Sequence, residues 1–339
     1  MSASLQDPSL TVPAPPKGER RGSVGIARNL GLVIALVILC VVGVVTAGDR
    51  FASTDNLMTI LRLATVTGIV AVGMTFVITG GGIDLSVGAI VALASVWATT
   101  TGTQAMADNI GWIAMVFSAI VVGAACGAIN GVLVAYGRIV PFVATLAMLA
   151  SARGLAEVIA DRKTQILRNQ GFTDFFGAEP LGIPVIVIIF ALTVVAGWFL
   201  LNRTTFGRRT FAVGGNPEAA RLAGIKVQRH TVYLYTLLGT TCGIAAVMLM
   251  SRTTVGSSTH GTLLELDVIA AVVIGGTLLT GGTGYVLGSL IGVLVYGTIK
   301  KLISFMGAEQ SWTQIIIGFL LLVFIVVQRV IVTRSQRRT

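Results

Sequence analysis

Hydrophobic residues along this chain form long uninterrupted runs, separated by short polar gaps. A run of about 20 apolar residues is long enough for an α-helix to cross the hydrocarbon core of a bilayer. The pattern predicts an all-α, polytopic membrane bundle of about ten transmembrane helices. The predicted spans are residues 30–47, 57–79, 84–102, 111–136, 140–160, 181–201, 231–250, 264–281, 284–304 and 312–332.

The polar segments divide the chain. Residues 1–29 are basic and proline-rich and are predicted to be a disordered cytoplasmic tail. Residues 30–332 form the predicted transmembrane domain, and residues 333–339 form a second basic tail. The longest polar stretch inside the domain is residues 202–230, which we expect to be a cytoplasmic loop.

Composition supports a membrane protein. Of the 339 residues, 54% are hydrophobic and only 11% are charged, with a mean hydropathy of +0.89. Soluble domains carry about 25% charged residues. The net charge of +10 arises from Arg and Lys residues beside the spans, mostly on one side. The positive-inside rule explains this bias better than a nucleic-acid partner does, and it predicts cytoplasmic N- and C-termini.

Residues that commonly carry chemistry are sparse. Three cysteines lie far apart in apolar runs, and the two histidines lack metal-ligand spacing. The glycine triplet 80–82 is not followed by the Gly-Lys-Ser/Thr of a phosphate loop. We therefore predict no catalytic residue, no metal site and no bound cofactor in this chain.

A glycine-rich break between two apolar runs is the most distinctive motif, Thr79–Gly88. A broken helix at membrane depth is tolerated only where protein buries it or where it lines a cavity. Asp84, helped by Ser86, is predicted to cap a helix beginning near Leu85, close to water. The alternative is a direct role in gating, for which the candidates are Gly81, Gly82, Asp84 and Ser86.

A second motif lies in the polar loop. Residues 216–223 read as a short helix, with Asn216 as the cap, Pro217 at the first position and Glu218 at the positive N-terminal end. Gly224 ends it. Such a helix presents a rigid face to a partner.

A third segment echoes the first. Glu265 and Asp267 precede an apolar run, and glycines follow at residues 281, 282 and 284. The echo suggests an internal repeat, as in many transporters, and makes both acids further gating candidates.

Small residues at close spacing predict tight helix packing. They are Gly123, Ala124, Ala125, Gly127, Ala128 and Gly131 in one span, and Gly288, Gly292 and Gly297 in another.

Together the three motifs resemble those of the membrane permease subunits of ribose-type ABC importers for monosaccharides. The matching stretches are Gly82–Gly88, Gly214–Ile225 and Glu265–Gly276, and the likeness extends from about residue 30 to 332. Pro217 stands where the family usually has a polar residue. The resemblance implies a permease fold with broken helices and a cytoplasmic coupling helix, in a bacterial inner or plasma membrane.

The resemblance also implies partners. A second permease copy or paralogue would complete a dimer, an extracytoplasmic protein would deliver the sugar, and a separate subunit would bind ATP and Mg²⁺. The residues it implies for contact with that ATPase are Gly214, Gly215, Asn216, Glu218, Ala219, Arg221 and Gly224. The residues lining the sugar pathway are not identified.

Two other functions stay open. The cargo of an ABC permease could instead be a branched-chain amino acid or a furanose-like signal molecule. An ion-coupled transporter would need acids deep in its spans, and only Glu157 qualifies. We expect Glu157 to pair with Arg153, four residues earlier on the same helix face.

Overall fold

The computed structural model describes residues 21–307, together with residues 312, 314–316, 318, 319 and 322. Its helices are α1 (Arg21–Ala47), α2 (Asp49–Ala52), α3 (Thr54–Thr79), α4 (Val87–Ala98), α5 (Thr101–Ile110), α6 (Ile113–Ala135), α7 (Pro141–Ile159), α8 (Gln170–Gly177), α9 (Val185–Arg203), α10 (Thr205–Gly215), α11 (Pro217–Leu222), α12 (Val227–Thr253), α13 (Leu264–Ile274) and α14 (Val286–Phe305). A 3-10 turn covers Pro180–Gly182. Two short strands, β1 (Gln165–Ile166) and β2 (Val255–Gly256), pair antiparallel.

The all-α membrane bundle is confirmed. Within the described residues, six helices are long and apolar enough to cross a membrane, namely α3, α6, α7, α9, α12 and α14. Two shorter apolar helices accompany them, Gly31–Ala47 within α1 and α4. The count of about ten spans stays a prediction, because α4 and α13 have only 12 and 11 residues and the span at 312–332 falls mostly outside the described residues.

Several predicted boundaries differ from those of the helices. α1 begins at Arg21, within the predicted tail, whose residues 1–20 lie outside the described part of the chain. Adding residues to an existing helix costs little, so α1 extends past its apolar run. α13 ends at Ile274 rather than near residue 281, because Gly276 adopts a φ of 86° that an α-helix cannot continue.

The centre of the bundle is formed by α3 and α4. The second half of α3 is buried from Ala64 onward, and in α4 only Trp97 is exposed. The outer helices α6, α7 and α9 leave large apolar side chains exposed, including Phe117, Phe142 and Phe199. Apolar side chains on the outside suit a lipid environment rather than water.

Small residues hold α6 against α12. A Cβ atom on Gly127 would lie 2.2 Å from the Tyr235 carbonyl oxygen, and one on Gly123 would lie 2.3 Å from that of Gly239. Gly292 meets Ala271 in the same way, joining α14 to α13. The predicted small-residue packing is confirmed at these positions, because only glycine lets the backbones approach this closely.

Candidate functional site

The short helix in the polar loop is confirmed as α11. The Asn216 side chain accepts a hydrogen bond from the Ala219 N–H at 3.0 Å, and Pro217 occupies the first turn. Gly224 follows the helix with a φ of 82°. Glu218 and Arg221 form an ion pair at 2.9 Å, and both side chains are mostly exposed. The helix thus presents one acid and one base outward on a capped, rigid turn.

A basic groove lies beside α11. It has a volume of 760 Å³ and lies between α11, the end of α6 and the beginning of α12. Four cationic residues line it, Arg138, Arg221, Lys226 and Arg229. The groove and α11 together form an exposed surface with both charge signs.

Glycines from three segments meet next to α11. The Gly282 N–H donates to the Thr79 carbonyl at 2.8 Å, which joins the segment before α14 to the end of α3. A Cβ on Gly214 would lie 1.8 Å from the same carbonyl oxygen, and one on Gly281 would lie 2.9 Å from the Gly81 Cα. We call this contact of Thr79, Gly81, Gly214, Gly281 and Gly282 the glycine junction. It connects the end of α3 and the segment between α13 and α14 to α10, which leads directly into α11.

The echo between the two halves of the sequence has a structural counterpart. The C-terminal end of α3 is closed by bonds from Gly81 N–H to Ile78 and from Gly82 N–H to Val77. The end of α13 repeats this arrangement with Gly276 and Thr277, and the φ angles of Gly81 and Gly276 are 84° and 86°. The equivalent glycine is therefore Gly276, earlier than the predicted break at residues 281–284.

Asp84 lies in a buried polar cluster. Its Oδ1 accepts hydrogen bonds from the Ser86 N–H at 2.8 Å and from the Ser86 hydroxyl at 2.6 Å. The Asn130 amide donates to Asp84 Oδ2 at 3.2 Å and to Ser86 Oγ at 2.9 Å. All three side chains are fully buried. The prediction of a cap close to water is wrong, since Asp84 bonds a residue before α4 and is closed off by α6.

The two acids of the third motif, Glu265 and Asp267, lie outside this cluster, and each contacts a different helix. The Glu265 carboxylate lies against the backbone of Gly88 at the beginning of α4. Asp267 lies beside the Tyr296 hydroxyl of α14. The predicted gating residues therefore occupy several places, with Gly81 and Gly82 at the α3 break, Asp84 and Ser86 in the buried cluster, and Glu265 and Asp267 along α13.

The predicted Arg153–Glu157 pair is absent from the described residues. Arg153 Nη1 instead donates to the carbonyl oxygens of Ser258 and His260, the latter at 2.8 Å. These carbonyls belong to the non-helical segment between α12 and α13, where they lack helical partners. His260 Nδ1 in turn lies 3.1 Å from the Ser95 hydroxyl of α4. The isolated arginine in an apolar span was the sequence signal for this contact.

Comparison with known proteins identifies the family. Residues 56–325 match the family model described as "Branched-chain amino acid transport system / permease component". The ribose import permease protein RbsC of Bacillus subtilis is 40% identical over 90% of this chain and 94% of its own length. The fructose import permease protein FrcC of Rhizobium meliloti is 37% identical over 88% of this chain and 84% of its own length.

A third relative spans the whole chain. The L-arabinose ABC transporter permease protein AraH of Azospirillum brasilense is 35% identical over 100% of this chain and 99% of its own length. No solved structure matches the chain significantly. The family model and the relatives cover the predicted membrane domain almost completely. The chain therefore belongs to this family of membrane permease components, and it is a multi-pass transport subunit rather than an enzyme.

Proposed function

We propose that this protein is the permease subunit of an ATP-driven importer for a monosaccharide. The observation that carries the proposal is the 40% identity to a ribose import permease over nearly the full length of both chains. Permeases named for arabinose and fructose align over similar shares. A pentose or hexose is the cargo class that these three names have in common.

A branched-chain amino acid is the second candidate cargo, supported by the description of the matching family model. A furanose-like signal molecule is a further alternative within the same framework. Competition between labelled ribose, arabinose or fructose and unlabelled leucine during uptake distinguishes sugar from amino acid.

The surface formed by α11 and its basic groove is the proposed contact with an ATPase subunit, making α11 a coupling helix. An exposed ion pair contributes little to stability, at most about 1 kcal/mol. Glu218 and Arg221 are therefore available to a partner at small cost to the fold. Gly214 contacts the end of α3 and Gly224 ends α11, whereas a Cβ on Gly215 would meet nothing. Asn216 caps α11 by accepting from the Ala219 N–H. ATP and Mg²⁺ would bind in the partner, not in this chain.

The proposed assembly contains a second permease copy or paralogue and an extracytoplasmic sugar-binding protein. It lies in a bacterial inner or plasma membrane with α11 and both termini in the cytoplasm. The excess of Arg and Lys on the α11 side supports this orientation. A bundle of about ten spans returns both termini to the same side.

Charge exchange at α11 tests the coupling role. Glu218→Arg should abolish sugar uptake in cells expressing the complete transporter, while sugar binding to the external receptor stays unchanged. The double variant Glu218→Arg with Arg221→Glu rebuilds the ion pair with its charges exchanged. If the pair serves only the loop's own stability, the double variant recovers uptake.

We expect the double variant to stay inactive, because the partner's surface would meet reversed charges. Wild-type uptake by Glu218→Arg would contradict the proposed contact. Uptake that persists after ATP depletion would instead favour an ion-coupled transporter.

A further inference from the structure

A cavity lies between α3, α12, α13 and α14 in the half of the bundle away from the glycine junction. Its volume is 320 Å³, which is at the lower end of the range for small-molecule sites. Leu63, Val66 and Leu249 provide apolar walls. The remaining lining is largely polar. It includes residues of the non-helical segment between α12 and α13, to which Arg153 donates hydrogen bonds. This combination of apolar walls and a few polar groups is typical of a ligand site.

One wall carries a hydroxyl group that forms no hydrogen bond with any residue that the structure describes. The threonines at positions 59, 75 and 79 of α3 donate to the carbonyl four residues earlier. Thr67 makes no such bond, nor any other side-chain hydrogen bond to the described residues, although only 6% of the residue is exposed. It lines the cavity, where its hydroxyl remains available to a bound molecule.

Another part of the lining carries an acid and a base that both contact the Tyr296 hydroxyl. Asp267 on α13 lies beside the Tyr296 hydroxyl, and Lys300 Nζ lies 3.4 Å from the same oxygen. No ion pair joins Asp267 to Lys300 in the described structure, although both line the cavity. Ionisable residues inside a membrane bundle are expensive and mark ligand pathways. A carboxylate accepts several hydrogen bonds and an ammonium donates three, so both groups retain capacity for a polar molecule in the cavity.

We infer that this cavity is a monosaccharide-binding site within one permease subunit, with Thr67, Asp267 and Lys300 bonding the hydroxyl groups of the sugar. The inference rests on the proposed function as a sugar importer. A carboxylate accepts hydrogen bonds from hydroxyl groups, an ammonium donates to their oxygens, and the Thr67 hydroxyl does either. The apolar side chains contact the C–H surface of the ring.

Two matched pairs of variants test the site in the complete transporter. Lys300→Gln and Thr67→Val should lower uptake of radiolabelled ribose, arabinose or fructose about tenfold, since each removes a bond to the sugar. Lys301→Gln and Thr59→Val are the controls. Lys301 packs over the Phe305 ring, and the Thr59 hydroxyl bonds within its own helix. Thr67→Ser, which keeps the hydroxyl, should retain uptake.

Chemical protection supplies a second readout that does not depend on uptake. With Cys40→Ala as background, a cysteine introduced by Thr67→Cys is alkylated in the purified full-length permease. Ribose, arabinose or fructose at millimolar concentration should slow the reaction, leucine should not, and Asp267→Asn should remove the protection.

The outcomes separate the two proposals. If the wild-type transporter imports sugar while Lys300→Gln and Thr67→Val match their controls, the cavity site is wrong and the sugar importer stands. If the wild type imports leucine and none of the three sugars, both proposals fail. Protection of the introduced cysteine by leucine alone would also overturn the sugar site.

Discussion

At the scale of single residues, the buried cluster around Asp84 depends on one carboxylate. Asp84 accepts from both donors of Ser86 and from the Asn130 amide. Without the carboxylate, the N–H and the hydroxyl of Ser86 would lose their acceptor inside the protein. A buried polar group left without a partner costs about 1–3 kcal/mol.

Asp84→Ala should therefore lower the thermal unfolding temperature of the purified permease in detergent. Asp84→Asn should have a smaller effect, because its amide oxygen still accepts from Ser86. Asp161→Asn is the control, as that side chain is 81% exposed and pairs with Lys163, and asparagine tolerates its φ of 49°. An Asp84→Ala protein that melts together with the control would contradict the structural role of the cluster.

The sequence indicated that Asp84 was special but not where it lies. The glycines and the acid between apolar runs predicted a break, and α3 ends at that point. The partner Asn130 lies 46 residues further along the chain and looks like any polar residue within an apolar run. Local patterns cannot indicate burial by a distant helix, so the cap close to water was a reasonable but wrong expectation.

At the scale of elements, the glycine junction allows a comparison of adjacent residues. Gly214→Ala places a Cβ where the Thr79 carbonyl lies, 1.8 Å away, so α10 must separate from α3. Gly215→Ala meets nothing within 4 Å of its new atom. We expect Gly214→Ala to reduce both sugar uptake and thermal stability, while Gly215→Ala keeps both near the wild-type values. Equal behaviour of the two variants would mean that the contact is not required.

Helices were easier to predict from the sequence than their lengths or contacts. Long apolar runs predicted α3, α6, α7, α9, α12 and α14, and the cap signals around Asn216 predicted α11. The predicted span at residues 84–102 is longer than α4, which ends at Ala98 and is followed by the separate helix α5 from Thr101. Hydropathy does not report the break between α4 and α5, because Thr99 and Thr100 at that break are only moderately polar.

At the scale of the whole molecule, the orientation in the membrane follows from the proposed function and the charge bias. Glu218 at α11 and Lys163 between α7 and β1 are both mostly exposed, and they lie on opposite sides in this orientation. Single cysteines introduced at these positions in a Cys40→Ala background report it. A membrane-impermeant maleimide added to intact spheroplasts should label position 163 but not position 218. Inside-out vesicles should give the reverse, and labelling of position 218 in spheroplasts would invert the topology.

The glycine junction also has a mechanical consequence. Side chains at most helix contacts can change rotamer and so absorb part of a displacement. Here the backbones of three segments touch directly, and a bond from Gly282 to Thr79 joins two of them. We therefore expect a push on α11 to pass through α10 to the end of α3 and to the segment that precedes α14. The compliance of this contact is low because four of its five residues, Gly81, Gly214, Gly281 and Gly282, have no side chain to deform.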